Sequence, residues 1–216
     1  GVLGESFAKH ELDIGAKRLA DYGLNVRFMP HALAGIEHIK NHPEDRAADL
    51  LAAFRDPEID MILCAIGGDD TYRLAPYLFA NGELETAVSG TDKIFLGFSD
   101  TTVNHMMLHK VGVKTFYGQS FLSDVCELGG EMLPYTRRYF EELIRTDTWY
   151  EARTDFSPEQ AGVPLPAHPD TGFELLQGRP RFSGKILGGC IDTLFDFFNG
   201  GRYADMWRSY TQEVTA

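Results

Sequence analysis

KIFLGFSDTTVNHMMLHKVGVKTFYG, residues 93–118, holds a strand, a helix and a second strand in one short stretch. Residues 93–98 are mostly apolar and β-prone, 101–111 carry helix spacing, and 114–117 return to extended character. A strand that reaches the next strand through a helix is the unit of a parallel sheet, because a parallel neighbour cannot be joined by a tight turn. The same alternation continues upstream. Residues 59–66 (IDMILCAI) form a largely continuous apolar run, as a strand buried on both faces should, and the run ends in Gly67-Gly68. A helix is expected to begin near Tyr72, with Asp70 or Thr71 as its N-cap. Residues 11–22 read as a helix with Leu12, Ile14, Ala16, Leu19 and Ala20 as its apolar positions, and residues 25–28 as a short strand after the breaker Gly23. Glu44 and Asp45 put negative charge at the start of a helix that runs through Phe54, where the macrodipole favours it. Residues 136–144 give a last helix. The alternation predicts an α/β protein with helices on both faces of a parallel sheet.

Beyond this region the character changes. Pro158, Pro164, Pro166 and Pro169 fall within residues 152–171, which have few apolar periods and read as a linker. The expected division is therefore an N-terminal domain over 1–151, a linker over 152–171, and the beginning of a C-terminal domain over 172–216. In that last part, 184–189 read as a strand entering a Gly-Gly turn and 191–198 as an apolar helix. There is no internal repeat.

Across 216 residues, 44% are apolar and 24% charged, ordinary values for a globular chain. The net charge of −12 argues against a nucleic-acid partner, since binding a polyanion relies on clustered Lys and Arg. The longest apolar runs fall far short of the roughly 20 residues that span a bilayer, so no membrane partner is expected. Cys64, Cys126 and Cys190 are odd in number and far apart, which fits neither a disulfide framework nor a metal cluster and points to the cytoplasm.

Ligands of open parallel sheets sit beyond the carboxyl ends of the strands, which directs attention to Gly67-Gly68-Asp69-Asp70-Thr71 and Gly97-Phe98-Ser99-Asp100. A serine where a strand runs straight into a helix has the context of a nucleophile elbow, and the amide of the following residue can face a developing oxyanion. The pattern leaves two readings open. Ser-Asp ahead of a helix is equally an N-cap, and Thr101 stands where such an elbow usually has glycine. His105 lies six residues after Ser99, about 600° and about 9 Å along a helix, so it is a poor base for that hydroxyl. His105 and His109 have metal-ligand spacing, but Met106 stands where a zincin places its glutamate, and no metal site is expected.

The segments CAIGGDDTYRLAPYL (64–78), KIFLGFSDTTVNHMMLHKVGVKTFYGQSFLSD (93–124), MLPYT (132–136) and GKILGGCIDTL (184–194) resemble, in this order and spacing, the LD-carboxypeptidase family of serine peptidases. GFSD, the following FYG and GGCIDTL are closer to its microcin C self-immunity branch than to its murein-recycling branch. The resemblance implies a doubly wound, flavodoxin-like N-terminal domain, a smaller C-terminal α/β domain, and a Ser–Glu–His triad without metal or cofactor. Ser99 falls on the nucleophile; Gly68 and Asp100 would supply oxyanion-hole amides, and Asp69, Asp70 and Thr71 would face the substrate. The family's Glu and His follow the segment matching GGCIDTL, and its opening strand precedes the helix near Glu11. The chain is accordingly expected to be truncated at both ends and to lack those two catalytic groups. The implied substrate is a small peptide, a murein L,D-peptide, or a peptidyl- or aminoacyl-nucleotide; a homodimer is compatible with the resemblance.

Two other functions are compatible with parts of the sequence. GGDDT is similar to the phosphate-cradling GGDGT loop of diacylglycerol- and NAD-kinase-like enzymes, which would make the protein a phosphotransferase. The same fold could also serve as a binding module without turnover.

Overall fold

The computed structural model describes residues 5–141, 148–150, 157–169, 171–172, 174–181, 183 and 188–199. Its centre is a three-stranded parallel sheet of β1 (Met61–Leu63), β2 (Ile94–Gly97) and β3 (Phe116–Tyr117), in that spatial order. Met61, Ile62 and Leu63 pair with Ile94, Phe95 and Leu96, and Leu96 and Gly97 pair with Phe116 and Tyr117. The path from β1 to β2 passes through a 3-10 turn (Thr71–Leu74), α4 (Ala75–Leu78) and α5 (Glu83–Val88); that from β2 to β3 passes through α6 (Thr102–Lys110).

Ahead of the sheet lie α1 (Glu5–Asp21), α2 (Ile36–Asn41) and α3 (Pro43–Arg55). The start of α3 is written in its residues: Pro43 occupies the first turn, where a missing N–H costs nothing, beside Glu44 and Asp45, and Arg55 closes the last turn. Ala47, Leu50, Leu51 and Phe54 recur at helical spacing and are all buried. At the end of α6, Gly112 adopts φ 84°, its amide donating to the His109 carbonyl and that of Val113 to the Leu108 carbonyl. This left-handed closure needs a residue without a side chain and turns the chain back toward β3.

Alternating residues of the strands feed two apolar clusters, one on each face of the sheet. Phe95 and Ile62 join Leu78, Leu84, Val103, Met107 and Leu108 beneath α3 to α6. Leu63 joins the other cluster, with Leu12, Leu19, Phe121, Val125 and Met132 under α1 and a π-helical turn at Phe121–Val125. A fully buried side chain of this size contributes about 1.5–3 kcal/mol relative to its exposed state, so the two faces are the main source of stability.

Several expectations are changed. Residues 25–28 form no strand and pair with none of β1, β2 and β3; β-character without a ladder partner is not enough. β1 is shorter than the 59–66 run and only partly buried; among the described residues it pairs on one side, with β2. Asp70 holds the N-cap position of the Thr71–Leu74 turn but makes no capping bond, its carboxylate being drawn instead to Arg46 and Arg73. Within residues 152–171, β5 (Ala167–Pro169) pairs antiparallel with β4 (Thr148–Tyr150), and a 3-10 turn spans Pro158–Gln160. α7 spans Pro134–Glu141 and α8 spans Ile191–Asn199. The strand expected at 184–189 falls mostly outside the described residues.

Candidate active site

Both turns singled out in the sequence lie at the carboxyl ends of adjacent strands, since β1 and β2 pair in parallel register. Ser99 is one of two non-glycine residues with positive φ among the described residues, at 61°; the other is Asn81. A left-handed serine is strained, and such strain persists where the surroundings impose it. Here they do. The Ser99 amide donates to the Tyr117 hydroxyl at 3.0 Å, and its carbonyl accepts from the Thr102 hydroxyl at 2.6 Å. Phe98 and Thr101 hold the N-cap positions of the two successive helical turns, so Ser99 is not the cap that its position ahead of a helix allowed.

The Gly-Gly turn fits directly against this elbow. A Cβ on Gly67 would stand 2.7 Å from Ser99 Cβ and 2.8 Å from its Oγ, so only glycine permits the approach. Gly97, two residues before the serine, is constrained likewise, since a Cβ there would meet Cys64 Cβ and Sγ at 2.8 Å. Asp100 locks the turns together. Its buried Oδ2 accepts from the Thr71 amide at 2.9 Å and from the Thr71 hydroxyl at 2.5 Å. Arg46, reaching in from α3, donates to Asp70 Oδ1 at 2.5 Å and to Thr71 Oγ1 at 3.4 Å. With its side chain only 9% exposed, this ion pair is shielded enough to fix the loop geometry. Gly68, where a Cβ would lie 3.5 Å from Asp100 Oδ2, joins Asp70, Thr71, Ser99 and Asp100 in one assembly.

His105 is accounted for elsewhere. Its Nε2 lies 2.9 Å from the Gly97 carbonyl and its Nδ1 2.7 Å from the Thr115 hydroxyl. The carbonyl accepts only, which puts the proton on Nε2 and leaves Nδ1 to accept from Thr115. Burial depresses its pKa, the Gly97 hydrogen bond opposing this only in part, so the ring is held neutral as a bridge between strands. Burial likewise raises the Cys64 thiol to about 11, leaving it unreactive beneath the turn.

Arg46, Tyr117 and Thr102 carry roles that no local sequence signal announced. Thr102 also receives the incoming C-terminal segment: its hydroxyl oxygen accepts from the Cys190 amide at 2.9 Å, and Gly189 approaches so closely that a Cβ there would lie 2.7 Å from Thr102 Oγ1.

A parallel α/β sheet carrying a strained serine elbow against a paired-glycine turn defines the structural class of the protein. The chain belongs to the LD-carboxypeptidase family, whose N-terminal domain matches residues 2–118. It lies with the microcin C self-immunity branch: the MccF-like protein from Streptococcus pneumoniae, solved in complex with AMP, is 58% identical with a TM-score of 0.93, over 99% of this chain and 64% of that one. The microcin C7 self-immunity protein MccF, solved with aspartyl sulfamoyl adenosine, shares the fold at 20% identity with a TM-score of 0.73, over 91% of this chain and 60% of that one. The Bacillus subtilis protein named "Probable murein peptide carboxypeptidase" is 28% identical over 185 residues, 85% of this chain and 51% of its own. The chain spans about half the length of the curated relatives it matches. No helix among the described residues is long and apolar enough to cross a membrane.

Proposed function

We propose that the full protein is a metal-independent serine peptidase in which Ser99 cleaves an amide joining an amino acid or peptide to a nucleotide-like group. The observation that carries this reading is the left-handed Ser99 at the strand-to-helix turn, since the backbone accepts that strain without gaining a cap from it. Ser99 Oγ attacks the carbonyl carbon, the amides of Gly68 and Asp100 receive the developing oxyanion, and the amine leaves with a proton from a general acid. Water then opens the acyl-enzyme, returning the proton to Ser99. Of the three loop residues expected to face the substrate, Asp69 and Asp70 line its approach, with Arg46 setting the position of Asp70, whereas Thr71 is buried and ties the loop to Asp100. His105 donates to Gly97 and is no candidate for the base, which the family resemblance assigns with its orienting Glu to the C-terminal domain.

AMP in the 58% identical relative favours a nucleotide-linked amide over a murein L,D-peptide. The phosphotransferase reading loses support at Thr71, whose amide and hydroxyl are both given to Asp100, placing a carboxylate where such a loop would hold phosphate. The test is Ser99→Ala in the full-length protein, assayed on an aminoacyl-sulfamoyl nucleotide and on an L,D-tetrapeptide. A loss on the order of 10⁶ in kcat is expected for the preferred substrate, and retention of more than about a tenth of turnover overturns the assignment.

A further inference from the structure

Away from the Ser99 turn, His31, α2 and the first turns of α3 bring imidazoles and carboxylates to one corner of the molecule. His38 Nε2 lies 2.6 Å from Asp45 Oδ2, and His31 Nε2 lies 3.6 Å from the same oxygen. One donor atom from each of the three residues falls within 4.8 Å of the other two. The two rings are stacked almost parallel, with centroids 5.9 Å apart.

The far side of His31 decides what this grouping can do. Its Nδ1 lies 3.0 Å from Asp49 Oδ1, while Asp49 Oδ2 accepts the His31 amide at 2.9 Å. A carboxylate held in that position takes the ring proton on Nδ1, which leaves the Nε2 lone pair turned toward Asp45. An imidazole lone pair and a carboxylate oxygen are both acceptors. They repel unless a proton or a cation lies between them. A carboxylate that holds the outer N–H of a histidine while the inner nitrogen faces further donors is also the arrangement that orients imidazole ligands in metal sites.

We propose that His31 Nε2, His38 Nε2 and the Asp45 carboxylate bind a divalent first-row transition ion of the zinc class, with Asp49 as the positioning carboxylate. Two imidazoles and one carboxylate suit such an ion better than magnesium or calcium, which take oxygen ligands. The donors need to contract to roughly 2.0–2.2 Å from the ion, and water completes the coordination. The required movement is small because the three donor atoms already lie within 4.8 Å of one another. The bound ion would fasten the His31 segment and α2 to α3. The residue after Asp45 is Arg46, which holds Asp70 in the paired-glycine turn, so the site would brace the helix that positions that loop without entering the chemistry at Ser99.

The experiment uses the untagged full-length protein, stripped with chelator and titrated with Co(II), read by visible absorption, and with Zn(II), read by thermal melting. One equivalent should give cobalt–imidazole absorption and a raised melting temperature. His31→Gln and His38→Gln should each weaken binding by at least about tenfold, and Asp49→Asn by about 10- to 100-fold through loss of ring orientation. Far-UV circular dichroism establishes that each variant is folded. A measurement on the unaltered protein needs no variant: Zn(II) should shift the imidazole NMR signals of His31 and His38 ahead of those of the remaining histidines. Absence of stoichiometric binding, equal response of all histidines, or full binding by His31→Gln and His38→Gln together overturns the proposal and leaves a proton as the occupant of the corner.

Discussion

A serine at φ 61° carries a backbone penalty that glycine avoids, because its Cβ crowds the neighbouring peptide in the left-handed region. The penalty belongs to the backbone and not to the hydroxyl. Ser99→Gly is therefore expected to be more stable than Ser99→Ala by about 1 kcal/mol, although both lack the hydroxyl. Equilibrium denaturation of the two variants checks this, and equal midpoints would mean that the elbow is relaxed. The same residue marks the limit of local reading. Gly-Phe-Ser-Asp after an apolar strand fits an elbow and an N-cap alike, and φ separates them. That angle is set by Tyr117 and Thr102, which hold the Ser99 amide and carbonyl, and by the bare face of Gly67.

At the scale of elements, His105 ties α6 to the ends of two strands, through the Gly97 carbonyl at the end of β2 and Thr115 just ahead of β3. Burial holds its folded pKa below the ordinary 6.5, so the unfolded chain takes up a proton that the folded protein resists. Its contribution to stability is thus complete above about pH 6.5 and is lost as the pH falls from there through the lower folded value. His105→Gln should flatten the decline in unfolding free energy between about pH 7.5 and about pH 5.5, measured by denaturant titration against the unaltered protein. An unchanged slope would place the acid sensitivity elsewhere. Helices α1, α3, α6, α7 and α8 were legible in the sequence because apolar spacing and terminal charge are local, as in α3 with Glu44, Asp45 and the buried Leu50–Phe54 face, whereas the six-residue α2, with one buried residue, was not. Strand lengths were not. Residues 25–28 have β-prone composition and no ladder, and β1 keeps three residues of its apolar run, pairing among the described strands with β2.

Over the whole molecule, the segment after the proline-rich stretch returns to the elbow layer. Phe197 of α8 is buried in the same cluster as Val103 and Leu108, while the Gly189–Cys190 turn presses on Thr102. Gly189 has φ 146°, and a Cβ there would collide with Thr102 Cγ2 and Oγ1. Gly189→Ala is expected to destabilise the protein by about 1–3 kcal/mol through overpacking. It should also lower turnover, because Thr102 holds the Ser99 carbonyl. Urea denaturation and kcat on the preferred substrate measure the two effects, and a variant unchanged in both would mean that the segment is not coupled to the elbow. By itself the sequence determined the α/β alternation, the placement of two glycine-bearing turns after two strands, and, through its motifs, the family. These depend on periodicity and on residue types at short spacing, which the chain carries locally. Tertiary structure alone decided that Asp100 clasps Thr71, that Arg46 reaches Asp70 from another helix, and that His31 and His38 converge on Asp45. Each of these contacts joins residues from separate elements, and their distance is set by how helices pack against one twisted sheet, a quantity that no local pattern encodes.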